Sequence, residues 1–521
     1  MTSKEKKKSS HHTKKKHHTM KENNNKTSSS SLFTKKQASI KNKNNNRRTI
    51  KSIIWTVIKI TTMLTVAVSA VGYIGIKRYL NQGGPFTPWT CSVFGYECEQ
   101  RYDIKYHGGY VHKDYVAAEQ AFIQNFYDGE EVGASVSAYV DGELVLDIYG
   151  GWQNLEDQVP YTENTLQMVF SSSKVVTAIV VARLVDQGIL SYDEKITTYW
   201  PEFGQGKKEN VTLGDLMVHA AGVGYLDVPV TSAEAEDTDR FSSILAAQPH
   251  NFEGERTRSY HAITYGWYVN EVLKRAANTT IHDTMVNELN KMYNIEWNFK
   301  PYQQEYDDRI APFYSGPPIF QMARMVNLMG GPIAFIKVMM NPDQIIHKSM
   351  MSVLDHLNPS DCRRLAHRRI QTPAISGYTN AHSIAKLAAM MANGGKAVVE
   401  GEPDLLSPEG YALVTQPVDP PVFDMLVKRA MPQEKGGWGV FDLLVVDGVE
   451  FRGWSGMGGS IFFWNQEYNI AFGYAMNAIP SMKSPEKRSR AILKQVVKAA
   501  LEKKKKQQES SSFTQNDDNI I

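Results

Sequence analysis

Residues 166–185 read LQMVFSSSKVVTAIVVARLV. A largely apolar run, Leu166 to Phe170, meets Ser171-Ser172-Ser173-Lys174, and a helix-like run from Val175 to Val185 follows. A serine three residues ahead of a lysine spans almost one helical turn, so the amine of Lys174 lies beside the hydroxyl of Ser171. A helix N-terminus beneath them offers positive potential and free N–H groups for a developing oxyanion. The same potential, with desolvation, lowers a lysine pKa toward a value at which the amine accepts a proton. The pattern is that of an acyl-transfer nucleophile, and it also fits an N-cap serine followed by a first-turn lysine. The spacing recurs at Ser3–Lys6 in a basic tail, at Ser484–Lys487 in a charged stretch, and at Ser383–Lys386. The last opens a helix-like run after a polar turn and reads as an ordinary helix start.

The charge of the 521-residue chain is unevenly placed. Residues 1–52 hold 16 Lys/Arg against two Glu, a net of +14; the whole is +3, so residues 53–521 carry −11. That tail is rich in Lys, His, Asn and Ser, cannot bury enough apolar surface to fold, and is expected to be disordered. Phe33 is its only aromatic residue, which argues against a nucleic-acid partner. Ile53 to Ile76 is apolar apart from Lys59 and some small polar residues, and reads as a signal-anchor helix. The positive-inside rule puts residues 1–52 in the cytosol and the chain after Lys77 in the lumen or outside the cell. Cleavage after Val68-Ser69-Ala70 and a mitochondrial destination are alternatives. Cys91 and Cys98 are close enough to bridge in an oxidising compartment, Cys362 is left over, and Asn210-Val211-Thr212 and Asn278-Thr279-Thr280 are glycosylation sequons.

Beyond a linker at 77–104, Val111 to Tyr127 reads as an amphipathic helix. Gly133–Val140 and Glu143–Tyr149 flank Asp141-Gly142, a hairpin signal. The middle, Leu166 to Leu413, is mainly helical in pattern. Strands return at Trp438–Val446 and Val449–Gly453 around Asp447-Gly448, and at Ser460–Trp464 and Ile470–Met476; a helix from Pro485 to Lys503 precedes a polar tail expected to be disordered. Strands at both ends with helices between predict an α+β fold: an antiparallel sheet built from both ends of residues 105–500, flanked by helices, with a mainly helical domain inserted. The Met-rich stretch from Pro317 to Met351 reads as a core helix or as a pliant wall around an apolar substrate.

Acyl transfer needs a second proton-handling group and oxyanion donors. Tyr260-His261-Ala262 precedes a helix-like run, where a tyrosine can relay a proton or be an ordinary half-buried aromatic; His261 receives no catalytic role. Gly453-Trp454-Ser455-Gly456-Met457-Gly458-Gly459-Ser460 opens a strand whose glycines let a backbone approach a ligand. There is no Gly-x-Ser-x-Gly elbow, His-Glu-x-x-His, Cys-x-x-Cys, phosphate-binding loop or Gly-x-Gly-x-x-Gly fingerprint, so no metal or cofactor is expected.

The order Ser-x-x-Lys, tyrosine motif, Trp-Ser-Gly strand resembles the serine β-lactamase-related family, which holds class C β-lactamases, D-alanyl-D-alanine carboxypeptidases and β-lactamase-fold carboxylesterases. Gly150-Gly151-Trp152, Tyr199-Trp200-Pro201-Glu202-Phe203, Val211-Thr212-Leu213 running to His219-Ala220-Ala221-Gly222, Tyr260 to Trp267, and Met476-Asn477 look like its esterase branch. The resemblance covers roughly residues 105–500. It implies Ser171 as nucleophile, Lys174 as base, Tyr260 as the partner sharing the proton, and Trp454-Ser455-Gly456 lining the site in place of a Lys-Thr-Gly motif. It further implies an oxyanion hole from the N–H groups of Ser171 and Met457, and an acyl-enzyme intermediate. Class C enzymes carry asparagine where this chain has Ala262 and lysine where it has Trp454. An anionic substrate thereby loses a charge partner, unless Arg452 supplies it. The expectation is a membrane-anchored hydrolase of a small ester or amide, with weak or no β-lactamase activity. The rival is a family member without turnover that serves as a membrane-tethered binding or assembly module.

Overall fold

The structure, a computed structural model, describes residues 30–81, 107–315, 326, 331–341, 344–351, 362–418, 423–440, 445–479 and 486–517. The chain divides into two units, residues 1–75 and 76–521. The first is dominated by helix α1 (Ser30–Asn81), which begins inside the stretch expected to be a disordered tail. Its segment Thr49–Ile74 is 26 residues long and apolar enough to cross a bilayer. Thr56, Thr61, Thr62 and Thr65 return their hydroxyls to carbonyls one turn back, so these polar groups are satisfied without water.

In the second unit, β1 (His107–Val111), α2 (Val116–Tyr127), β2 (Gly133–Val140) and β3 (Glu143–Asn154) come from the N-terminal side. From the far end come β4 (Arg452–Ser455), β5 (Ile461–Asn465) and β6 (Ile470–Met476). They form one antiparallel sheet in the order β1-β3-β2-β6-β5-β4, with Val159–Pro160 added beside β3. β2 and β6 join the two ends, from Ala134 opposite Met476 to Val140 opposite Ile470. The β2–β3 turn puts Asp141 at φ 54° and Gly142 at φ 78°, the left-handed pair that a two-residue hairpin requires.

Strand periodicity then sorts the side chains into two layers. Phe472, Tyr474 and Met476 of β6 join Val136 and Ala138 of β2 against Phe122 and Phe126 of α2. Ile492, Val496 and Val497 of the last helix (Glu486–Asp517) complete that layer. The opposite face of β6 offers only Ala471, Gly473 and Ala475, and there the helix Ala381–Ala392 lies directly on the sheet. A Cβ on Gly473 would stand 2.5 Å from the carbonyl oxygen of Ala381 and 2.8 Å from the nitrogen of Ala385. Arg488 fastens the last helix to both ends of the sheet: it pairs with buried Glu131 at 2.6 Å and donates to the carbonyls of Gly458 (2.6 Å) and Ala478 (2.9 Å).

Some elements depart from the sequence reading. β1 lies in His107-Gly108-Gly109-Tyr110-Val111, whose glycines hide a strand, so Val111 ends a strand and α2 starts at Val116. Of the strand expected at Trp438–Val446, residues 441–444 lie outside the described residues, and the parts on either side pair differently. Val445–Val446 pairs with Val449–Glu450 around Asp447-Gly448, whereas Gly439 bridges Gly453. A small sheet of Gln167–Met168, Tyr378–Thr379 and Trp297–Asn298 was not anticipated, since two-residue strands leave no periodicity to read. The last helix runs to Asp517 because its Lys, Glu and Gln residues are strong helix formers even when solvated. In the Met-rich stretch, Pro332–Met340 and Ile345–Met351 are helical, and exposure of Ile333, Ile336 and Met340 rules out a core helix there. Cys91 and Cys98 lie outside the described residues; Cys362 is a buried free thiol.

Gly473→Val is expected to lower stability by about 3 kcal/mol, because neither backbone atom it meets can give way. Denaturant unfolding of the detergent-solubilised protein measures this; an unchanged midpoint would mean that the helix does not sit on the sheet as described.

Candidate active site

Ser171 lies on a one-turn 3-10 segment, Phe170–Ser172, that leads into α3 (Ser173–Asp186). α3 is rich in β-branched residues, poor helix formers in isolation. Burial holds it helical: every residue from Ser173 to Ala182 is buried. Phe170 is held at φ 47°, a costly conformation for a bulky residue, and its ring packs on Phe313 at 4.8 Å. This turn sends the three serines three ways. Ser172 Oγ lies 3.1 Å from Ser460 Oγ, and Ser173 Oγ accepts from the Gly377 N–H at 3.0 Å. Ser171 Oγ accepts from the Tyr260 hydroxyl at 2.9 Å and lies 3.4 Å from Lys174 Nζ.

Lys174 is almost fully buried, and its Nζ donates to the carbonyls of Ala262 (2.7 Å) and Ala374 (3.0 Å). Burial holds its pKa well below the ordinary lysine range. A neutral amine has two N–H bonds and one lone pair. With both N–H bonds spent on carbonyls, the lone pair is left for the hydroxyl of Ser171. Lys174 Nζ also lies 4.7 Å from the centre of the Tyr260 ring. Burial raises the Tyr260 phenol above its usual range, opposed by hydrogen bonds with Ser171 and Trp454, so the phenol stays protonated near neutrality.

Tyr260 sits just before α4 (Thr264–Ala277) and stacks on the indole of Trp454, with centroids 5.4 Å apart and planes 18° from parallel. Trp454 and Ser455 end β4, and Gly456 brings that end against the turn that carries Ser171. A Cβ there would meet the Val169 carbonyl oxygen at 2.3 Å and Phe170 Cβ at 3.2 Å. Ser460 Oγ ties the same loop down by donating to the Val169 carbonyl at 2.7 Å. Met457 lies in the turn beyond Gly456 and is half exposed, at 48%. The structure therefore gathers Ser171, Lys174, Tyr260 and Trp454 in direct contact, with Ser455, Gly456 and Met457 at the adjoining strand end.

Other sequence candidates fall away. Ser383 Oγ accepts from the Glu296 N–H at 2.8 Å and Lys386 pairs with Glu402 at 2.6 Å, so that Ser-x-x-Lys copy is structural. Ser3 and Ser484 lie outside the described residues. His261 Nδ1 meets the Ser259 carbonyl at 2.6 Å and its Nε2 accepts from the Val223 N–H at 3.4 Å; burial lowers its pKa to about 4. It braces a loop as a neutral ring. Arg452 does not substitute for a site lysine, because its Nε pairs with Glu434 at 2.7 Å.

Two residues that the sequence reading quoted only within family-like stretches, without a role, prove to support the site. His219, buried and at φ 63°, stands edge-on to Tyr260 at 4.9 Å and accepts from the His261 N–H at 3.4 Å. Gly266 lets α4 touch the Pro373-Ala374 turn, where a Cβ would stand 2.5 Å from the Ala374 nitrogen. Its bareness fixes where the Ala374 carbonyl meets Lys174. The signal was Gly266 within a helical pattern, which marks a close approach. Gly266→Ala is expected to displace that carbonyl and slow labelling of Ser171 by a fluorophosphonate about tenfold; wild-type labelling would remove Gly266 from the site's support.

Residues 117–497 match the Beta-lactamase family model. The esterase/beta-lactamase LipL of Mycobacterium tuberculosis is 33% identical over 148 residues, 28% of this chain and 34% of that protein. The mitochondrial serine beta-lactamase-like protein LACTB of Mus musculus is 28% identical over 134 residues, 24% of each chain. The matched segments thus span 34% and 24% of these relatives' lengths. A crystal structure of a family VIII carboxylesterase superposes with a TM-score of 0.64 at 26% identity, covering 76% of this chain and all of that one. The fold is that of β-lactamases and transpeptidases, and the chain belongs to the Beta-lactamase family.

Proposed function

We propose that this chain is a membrane-anchored serine hydrolase that cleaves a neutral ester, or a small amide, through an acyl-enzyme on Ser171. The observation that carries the reading is the buried Lys174 amine, bound to two carbonyls and 3.4 Å from Ser171 Oγ, with the Tyr260 hydroxyl 2.9 Å from the same oxygen. In the forward step Ser171 Oγ attacks the ester carbonyl carbon while its proton passes to Lys174. The carbonyl electrons move to oxygen, where the N–H groups of Ser171 and Met457 receive them. The intermediate collapses, the C–O bond to the alcohol breaks, and the leaving oxygen takes a proton through Tyr260, replenished from Lys174. Water then attacks the Ser171 ester by the reverse relay and releases the carboxylic acid. Lys174 and Tyr260 act as a coupled pair in both halves.

Substrate charge follows from what surrounds the nucleophile. Trp454 stands where class C enzymes carry lysine, and Arg452 is engaged by Glu434, so a substrate carboxylate finds no cation among these residues. The esterase EstB among the relatives and the carboxylesterase likeness support an ester substrate. Thr49–Ile74 would anchor the enzyme, with the basic N-terminal side cytosolic and the catalytic unit lumenal or extracellular. Both sequon asparagines, Asn210 and Asn278, are exposed. A mitochondrial membrane is the alternative, favoured by the mitochondrial LACTB relatives.

Turnover of a nitrophenyl ester is expected to exceed that of a chromogenic cephalosporin. Ser171→Ala is expected to reduce it about 10⁴-fold or more, and Tyr260→Phe about 10²-fold. Faster cephalosporin turnover would overturn the substrate assignment. Ester hydrolysis unchanged in Ser171→Ala would overturn the mechanism.

A further inference from the structure

The helix Pro332–Met340, sequence PIAFIKVMM, has no polar face. Ala334, Phe335 and Val338 are half-buried, while Ile333, Ile336 and Met340, one stripe at i, i+3 and i+7, are 73%, 53% and 79% exposed. Ile333 and Met340 are more exposed than any other large apolar side chain described between residues 107 and 517. A helix apolar on every side belongs inside a core or against lipid, and the core has been excluded. Lys337 lies on the exposed stripe, with an apolar stem long enough to carry its charge to headgroup level.

Two occupants fit an apolar stripe, and charge separates them. A second copy related by a two-fold axis would bring Lys337 against its mate, and the described residues 331–341 and 344–351 offer no acidic partner. An anionic bilayer surface complements Lys337 instead. The same chain carries Thr49–Ile74, long and apolar enough to hold the enzyme at a bilayer. The adjoining helix Ile345–Met351 sets Lys348 Nζ 5.2 Å from the Tyr225 ring, and Gly224 beside it abuts His261, the neighbour of Tyr260. The stripe is thus connected by packed elements to the wall of the site.

We propose that the Pro332–Met340 helix lies in the lipid interface, with Ile333, Ile336 and Met340 in the acyl boundary, and that the enzyme takes apolar esters from that bilayer. The inference rests on Thr49–Ile74 being a membrane span and, for its substrate part, on the hydrolase reading above. The test uses the full chain in vesicles of phosphatidylcholine and phosphatidylglycerol at about 7:3. An environment-sensitive fluorophore is attached at Ile336→Cys or, as control, at exposed Glu409→Cys, both in a Cys91→Ser/Cys98→Ser background. Quenching by shallow spin-labelled lipid is expected to be about threefold greater at 336 than at 409. Equal quenching overturns the lipid contact, as does a signal at 336 that depends on protein density rather than on the quencher. In the second arm, Ile333→Asp/Ile336→Asp is expected to slow hydrolysis of a long-chain ester carried in the vesicles about tenfold, while a short soluble ester stays within about twofold. Equal effects on both esters overturn delivery from the bilayer. Should wild type hydrolyse neither ester, the hydrolase reading fails while the quenching arm still decides the contact.

Discussion

An amine sealed inside the protein between two carbonyl oxygens is the constraint on which the site depends. Ionised, Lys174 would lose the hydration of a cation, so burial favours its neutral form. The carbonyls of Ala262 and Ala374 then fix which way its remaining lone pair faces. Neither carbonyl is on α3. One belongs to the loop that carries Tyr260 and the other to a turn pressed against Gly266, so the amine ties three segments together. Tyr260 completes the arrangement as a protonated phenol donating to Ser171 Oγ, locked by the Trp454 indole on one side and the His219 edge on another.

The sheet makes this convergence possible. β4 to β6 arrive from the far end of the chain and are pinned beside β2 by backbone pairing and by the Arg488–Glu131 clamp. Arg488 also holds the Gly458 carbonyl, which steadies the glycine-rich loop whose Gly456 abuts the turn that carries Ser171. Phe170 stores backbone strain at that turn, and packing against Phe313 keeps it in place. Strain, clamp and close glycine contact all serve one oxygen atom.

Much of this was readable before the structure, and the failures have physical causes. Strands with clean alternation, such as Ile470–Met476, and turns with a required left-handed pair, such as Asp141-Gly142, announce themselves locally. β1 did not, because glycines erase periodicity. Collinear motifs brought out Ser171, Lys174, Tyr260 and Trp454, whereas His219 and Gly266 act only through neighbours distant in sequence. Whether Arg452 could replace the missing lysine depended on its partner Glu434, 18 residues away in sequence. Hydrophobicity alone left the Met-rich stretch open between a core helix and a pliant wall, since composition cannot tell a buried helix from an exposed one, and only its later helices lie among the described residues.

Charge and apolar surface point to one mode of use. On the proposed reading, Ser171 lies beside Trp454 while Arg452 is engaged by Glu434, which would suit uncharged esters, and the apolar span and exposed apolar helix would bring the enzyme to such molecules in a bilayer. The whole account turns on the protonation state of Lys174. The most direct measurement is the rate of Ser171 labelling by a fluorophosphonate as a function of pH. A rise to a plateau is predicted, with a midpoint well below the ordinary lysine pKa of about 10.4 and lost in Lys174→Met. A midpoint at the ordinary value, or a profile that Lys174→Met leaves intact, would contradict it.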